Sequence, residues 1–151
     1  MNHHPYLRAY MAGIAVPTPL LLVALTLFSI ARFVYNVPIP IERVIVFPMA
    51  IVPNLFGVWN VLHLAWRSRL PLGIHGAILP FILAPVGFFL GRGLGFLKTT
   101  GYGFSYFDVV QVHYVHLALV FPAVLIIYYL VWKYLIGFLN RVAGIAEYGQ
   151  S

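Results

Sequence analysis

The chain contains no cysteine, and only three of its 151 residues are acidic. The lack of cysteine excludes disulfides, thiolate metal sites, c-type haem attachment and cysteine nucleophiles. Charged residues of both signs make up 8% of the sequence, whereas soluble proteins carry about 25%. This scarcity of charge, with a hydrophobic content of 62%, leaves no room for a soluble domain. It predicts a single domain over residues 1–151 in an apolar environment.

Seven of the nine lysines and arginines, together with Asp108, lie at the borders of four long stretches that have no charged side chain. A bilayer core of about 30 Å is crossed by about 20 helical residues. A charged side chain in mid-membrane costs about 2.5–3.5 kcal/mol, so charges collect at the membrane edges. The pattern therefore predicts an all-α integral membrane protein with four transmembrane helices. The charge-free stretches are residues 9–31, 44–66, 70–91 and 109–132.

Prolines, glycines and polar residues between these stretches set the predicted ends of the helices. Short connections between four helices predict an antiparallel bundle, kinked where prolines lie within a helix. The turn at residues 67–71 makes helices 2 and 3 a tight hairpin, and residues 98–106 are predicted to form a loop. The predicted helices cover residues 10–35, 41–66, 72–96 and 108–134, the last with an extension to residue 140.

Four crossings place both termini on the same side of the membrane. That side carries five of the basic residues and the other side four, so the positive-inside rule favours cytoplasmic termini by a single residue. The net charge of +6 is spread along the membrane edges, where it can meet lipid phosphates, and is not clustered as nucleic-acid binding requires. The expected partners are therefore the lipid bilayer and other membrane-embedded chains, and not nucleic acid.

Helix 3 carries glycines at a spacing of four, Gly87, Gly91 and Gly95, with Ala84 on the same face. Small residues at this spacing let a second helix approach closely, and the resulting packing drives helix association in lipid. One interpretation is an oligomer interface, formed between copies of the chain or with another membrane subunit. The other is packing within the bundle itself, which also needs close helix contacts.

Four polar side chains, Asn54, Asn60, His63 and His75, lie in predicted helices 2 and 3. In lipid such residues usually face a bundle interior or a cavity. His63 and His75 lie six residues to either side of Arg69, so an antiparallel hairpin places them at matching depth. Two neutral imidazoles can bind the iron of haem b axially or share a divalent metal. The alternative is that each imidazole hydrogen-bonds to a neighbouring helix or a lipid headgroup.

Pro53 and Pro85 also lie at equal distances from Arg69, inside helices 2 and 3. A proline within a helix leaves a carbonyl one turn earlier without its usual donor, and that carbonyl must find another partner or line a cavity. Interrupted helices at corresponding positions are typical of transporter sites. Prolines also kink membrane helices that have no such role, so both interpretations stay open.

The start of predicted helix 4 carries Asp108, His113 and His116, at the membrane edge that also carries Glu42. Two imidazoles and two carboxylates form a ligand set suited to Zn²⁺ or a similar divalent ion. Convergence of the four side chains would create a metal site, and with it the means for an intramembrane enzyme. The alternative is a polar cap bound to water and lipid headgroups.

No nucleophile motif, phosphate-binding loop or HExxH zinc helix occurs in the sequence. The charge-free stretches also offer no carboxylate or ammonium group for proton-coupled transport or deep acid–base catalysis. The sequence therefore favours a small, non-enzymatic multipass membrane protein that acts as an oligomeric or accessory subunit or binds a hydrophobic, lipid-like partner. A small transporter or channel is one alternative. An electron-transfer protein that binds haem b or quinone through paired histidines is another.

Overall fold

A computed structural model of the chain describes residues 4–38, 40–66, 70–106 and 110–145. This part of the protein is mostly helical, with a small sheet between the fourth and fifth α-helices. Two π-helical turns, Glu42–Val46 and Val131–Ile136, directly precede the third and sixth helices. The elements are α1 (Pro5–Ile14), α2 (Pro17–Phe33), α3 (Phe47–Ala65), α4 (Leu72–Gly93), β1 (Leu97–Thr100), β2 (Gly103–Tyr106), β3 (Val110–His113), α5 (Tyr114–Leu130) and α6 (Gly137–Val142).

Four helical segments are long and apolar enough to cross a membrane, which confirms that part of the prediction. A helix bonds its own backbone N–H and C=O groups internally, so it is the natural conformation for a long sequence without polar side chains in an apolar environment. Leucine and alanine, frequent in these segments, are also good helix formers. The segments are Pro5–Phe33, Phe47–Ala65, Leu72–Gly93 and Tyr114–Val142.

The first of these segments is divided at residues 15–16 into α1 and α2. Pro17 begins α2, where its fixed φ suits a helix start and its missing N–H is tolerated. Neither Pro17 nor Pro19 can donate a hydrogen bond to the carbonyl one turn earlier, on Gly13 or Ala15. The break therefore has two fewer helical hydrogen bonds than a continuous helix would have. By contrast, α3, α4 and α5 continue through the prolines inside them.

Residues 97–113 contain a three-stranded antiparallel sheet in the order β1-β2-β3, in place of the predicted loop and the predicted start of helix 4. The prediction of a purely helical chain is wrong for this segment, and α5 begins at Tyr114 instead of residue 108. A two-residue turn between Thr100 and Gly103 pairs β1 with β2. Aromatic and β-branched residues, which favour strands, occur throughout β2 and β3.

Aromatic rings and one glycine hold this sheet together. A Cβ on Gly103 would overlap the backbone carbonyl of Val112 on the next strand, so only glycine allows the two strands to approach this closely. The Phe104 ring lies edge-on to Phe88 of α4, with centroids 6.3 Å apart. Burial raises the pKa of Tyr106 on β2 above its ordinary value of 10.0.

The chain forms two compact units. The first unit comprises Met1–Pro71 and Tyr134–Ser151, and the second comprises Leu72–Lys133. The antiparallel bundle and the tight hairpin of helices 2 and 3 stay predictions, and the centre of that turn, residues 67–69, lies outside the described residues.

In the first unit, α1 packs against α3 through glycine. A Cβ built on Gly13 would lie 2.6 Å from the carbonyl oxygen of Phe56 and 2.7 Å from the Cα of Gly57. The two backbones are therefore in direct contact at this point, with Ala9 and Ala12 buried beside it on α1. Small residues allow such an approach, which increases the dispersion attraction between helices.

In the second unit, α4 packs against the helix that begins at Tyr114, again through glycine. Gly73 lies under the ring of Tyr129, and Gly76 lies under the side chain of Trp132 in the π-helical turn after α5. The Trp132 side chain is completely buried. Further along α4 the rings of Phe81 and Phe121 meet edge to face, with centroids 5.2 Å apart. Glycines thus admit large aromatic residues at one end of this helix pair.

We expect Gly13→Ala to destabilise the protein by about 1–3 kcal/mol, because the added methyl group meets backbone atoms that cannot move without separating the helices. Gly93→Ala is the matched control, since nothing lies within 4 Å of a Cβ at that position. The control should stay within about 1 kcal/mol of wild type or gain stability, because alanine favours helix over glycine. Unfolding midpoints in mixed detergent measure both effects. Equal midpoints for the two variants would contradict the close contact.

Candidate functional sites

Asn60, one of the predicted polar residues, connects three helices of the first unit. Its side chain is 1% exposed, and its amide nitrogen donates to the carbonyl of Ala9 and to Oδ1 of Asn140, at 2.8 Å each. Asn140 Nδ2 donates back to Asn60 Oδ1 at 3.1 Å. We call Ala9, Asn60 and Asn140 the amide clasp. It joins α1, α3 and α6 by hydrogen bonds made only within the protein.

The sequence did not single out Asn140 or Ala9 as members of this site. The only sequence signal was that Asn140 is a polar residue in the helical extension of the fourth segment. It is 80 residues away from Asn60, so no local spacing relates the two. The reciprocal amide pair uses both the donor and the acceptor of each carboxamide, as a buried amide requires.

Asn54, six residues before Asn60 on α3, also makes hydrogen bonds within the chain. Its Nδ2 donates to the carbonyl of Ala50 at 2.7 Å, and its Oδ1 accepts a hydrogen bond from the hydroxyl of Tyr10 on α1. This second bond again connects α1 with α3. The carboxamide beside Pro53 therefore serves helix packing in this conformation, and its polar atoms are engaged within the chain.

The two histidines predicted to form a pair have separate neighbours. His63 Nε2 lies 3.2 Å from the carbonyl oxygen of Leu70 in the first unit. His75 belongs to the second unit, is 3% exposed, and meets Trp132 edge to face with ring centroids 6.0 Å apart. Each histidine thus has a local structural contact of the kind expected for an imidazole that packs helices. Their joint binding of haem b stays a prediction.

The predicted small-residue face of α4 is divided by the structure. Gly95 is not on the helix, which ends at Gly93, and has a left-handed φ of +78° in the turn that follows. Gly91 is covered by Phe96 and Leu97 of the same chain. The doubled glycine motif is therefore wrong as a continuous helix surface, because the chain leaves the helix before its third glycine.

Ala84 and Gly87 remain as the open part of that face. Both are exposed, and nothing lies within 4 Å of a Cβ built on Gly87. Gly87 differs in this respect from the helical glycines at positions 13, 57, 73 and 76, each of which is closely packed within its unit. The small-residue surface at Gly87 is thus open and not covered by the described part of the chain.

The predicted metal site has a different arrangement. Glu42 accepts hydrogen bonds from Arg32 Nη1, at 3.0 Å and 3.2 Å to its two oxygens, and so connects the end of α2 to the turn before α3. Asp108 lies outside the described residues. Within the described ranges, no group of three or more His, Asp or Glu side chains is placed to hold a metal ion. The imidazoles of His113 and His116 do meet, with ring centroids 5.6 Å apart.

The candidate sites are thus of three kinds: polar groups hydrogen-bonded within the chain, an open small-residue surface on α4, and the adjacent imidazoles of His113 and His116. Comparison with protein-family models, curated proteins and solved structures finds no match to this chain.

We expect Asn60→Ala and Asn140→Ala each to cost about 1–3 kcal/mol, because each leaves its partner with unpaired polar atoms in a buried position. The double variant should cost less than the sum of the two, with a coupling of about 1 kcal/mol. Thr26→Val is the control, since that hydroxyl is exposed and bonds only to its own helix, at Leu22. Reversible unfolding in mixed detergent gives the three free energies. Strict additivity would disprove the direct amide pair.

Proposed function

We propose that this chain is a multipass membrane protein that acts by assembling with copies of itself, and that it is not an enzyme. The span-length helices support the membrane setting, and so does the surface they present. Helix α5 has no buried residue, and large aliphatic side chains such as Leu119 on α5 and Leu20 on α2 are 72% and 66% exposed. An apolar surface of this extent requires lipid or another apolar protein surface to cover it.

The open surface at Gly87 is the observation that carries the assembly proposal. Association of helices in lipid depends on close packing, because lipid tails compete equally well for apolar side chains. A glycine whose surface is unfilled offers such packing to an incoming helix. Ala84, three residues earlier, lies on the same face of α4 and widens the small-residue patch.

Two phenylalanines beside this patch are held in place within the second unit. Phe81 contacts Phe121 of α5, and Phe88 contacts Phe104 of β2. Side chains that are already ordered lose little conformational entropy on association. A second copy presents the same patch and the same rings, so a two-fold dimer can place each copy's rings beside the other's glycine.

The polar side chains on which the alternatives depend favour this proposal indirectly. A transport site would use Asn54 and Asn60 to bind a solute, and a haem site would use His63 and His75 as axial ligands. In the structure the two asparagines are bonded within the first unit, and His63 contacts a backbone carbonyl. Solute or haem binding at these residues would therefore require existing contacts to be exchanged.

We expect Gly87→Leu to weaken self-association by about tenfold or more, equivalent to the loss of about 1.4 kcal/mol or more of packing energy. Gly93→Leu is the matched control, because it adds the same side chain at another open glycine of α4. The two positions are about 120° apart around the helix. Sedimentation equilibrium in density-matched detergent and energy transfer between labelled copies in liposomes measure the association. A monomeric wild-type protein, or equal association of both variants, would falsify the proposal.

The predicted topology can be tested with cysteines, because the chain has none of its own. Four crossings place Val37 and Tyr102 on one side of the membrane and Ser151 on the other. We expect a membrane-impermeant maleimide to label Val37→Cys and Tyr102→Cys from the same side, and Ser151→Cys from the opposite, cytoplasmic side. Labelling of Tyr102→Cys and Ser151→Cys from one side would exclude four crossings.

A further inference from the structure

Two exposed imidazoles lie together at the junction of β3 and α5. His113 is the last residue of β3 and the N-cap of α5, with an extended backbone of φ −78° and ψ 143°. His116 is three residues further on, in the first turn of the helix. N-cap and N3 side chains are neighbours at a helix start, where they commonly exchange hydrogen bonds with the backbone. Here the His113 side chain makes no such capping bond, and the two rings instead lie edge to face, with an angle of 85° between their planes.

The ring centroids are about as far apart as those of two imidazoles on one metal ion, and rotation of the side chains would turn a nitrogen of each ring toward the ion. Zn²⁺ is bound by imidazole nitrogens at about 2.0–2.1 Å in tetrahedral geometry, which puts the centroids of two ligating rings about 5 Å apart. The observed separation of 5.6 Å differs from this by less than the movement that a small rotation of an exposed side chain allows. No large rearrangement of the backbone is required.

The backbone that carries His113 is held on both sides. His113 pairs with Gly103 of β2, where the two strands are in close contact. The next residue, Tyr114, donates its backbone N–H to the carbonyl of Tyr102 at 3.1 Å. His116 is carried by the first turn of α5. Ligands on fixed backbone elements lose little freedom when they bind an ion, which favours binding.

We propose that His113 and His116 form a binding site for one Zn²⁺ ion per chain. Imidazole is a preferred ligand of Zn²⁺, and exposed histidines supply their nitrogens without loss of other bonds. In the described part of the chain no third His, Asp or Glu joins the pair, and the proposed site uses water for the remaining coordination positions. Structural zinc sites are closed by four protein ligands, whereas a site with fewer protein ligands keeps positions open for water or another ligand.

One electrostatic effect opposes this site. The N-terminus of α5 carries the positive end of the helix dipole, which disfavours a cation. That effect is screened by salt at exposed positions such as these, whereas coordination by two imidazoles acts directly on the ion. The bound ion connects the last residue of β3 to the first turn of α5, so it also braces the sheet against the helix.

Titration calorimetry of ZnCl₂ into the full-length chain without a histidine tag tests the proposal. We expect one ion per chain, and a dissociation constant raised about tenfold or more by either His113→Ala or His116→Ala. His4→Ala is the control, because His3 and His4 form another adjacent pair in the sequence. Loss of binding in His4→Ala, or unchanged binding in both other variants, would overturn the site.

Two further measurements separate this inference from the assembly proposal. Zn²⁺ should raise the unfolding midpoint of the wild-type protein but not that of His116→Ala, because an ion stabilises only the state that binds it. The weakly associating variant Gly87→Leu should bind Zn²⁺ as the wild type does, since both ligands come from one chain. If Gly87→Leu lost zinc binding together with association, the assignment of both ligands to a single chain would be wrong.

Discussion

The close approach of helix backbones at glycine is the contact on which the rest of the first unit depends. Where Gly13 touches Phe56 and Gly57, α1 and α3 come near enough for Tyr10 to reach Asn54 and for Asn60 to reach Ala9. A wider separation would break both hydrogen bonds and leave the buried amide of Asn60 without its partner on α1. Packing and polar pairing are therefore not independent contributions here, because the first sets the distance that the second requires.

The charge-free stretches predicted the four span-length helices because the bilayer imposes a length and an apolar composition that both appear directly in the sequence. The sheet was missed because residues 109–113 combine three valines with Gln111 and His113, and so short a segment suits a helix or a strand equally well. Pairing with β2 determines that the segment forms a strand, and this pairing depends on Gly103. No local sequence pattern identifies such a partner. Asn140 was missed for the same reason, since its partner is distant in sequence.

The glycines show the limit of spacing as a guide to packing. The regular spacing of Gly87, Gly91 and Gly95 predicted one packing face. Gly91 is covered by its own chain, however, and Gly95 lies beyond the end of the helix. The glycines that do bring helices together, such as Gly13 and Gly76, have no second glycine at a spacing of four in their own helix, although Ala9 stands four residues before Gly13. Whether a glycine is used depends on what lies opposite it, and that is a property of the tertiary structure.

The break at residues 15–16 gives the first segment two halves with different mechanical properties. Helix α1 is fixed to α3 by backbone contact and by the amide clasp, whereas Pro17 is the only buried residue of α2 among those described. Because Pro17 and Pro19 cannot donate, bending at this point breaks fewer helical hydrogen bonds than bending elsewhere. The far end of α2 is held by the ion pair of Arg32 with Glu42, so residues 15–16 form a hinge between two segments held at different points. In the proposed membrane setting, bending at this hinge would adjust the tilt of α2 to the thickness of the bilayer.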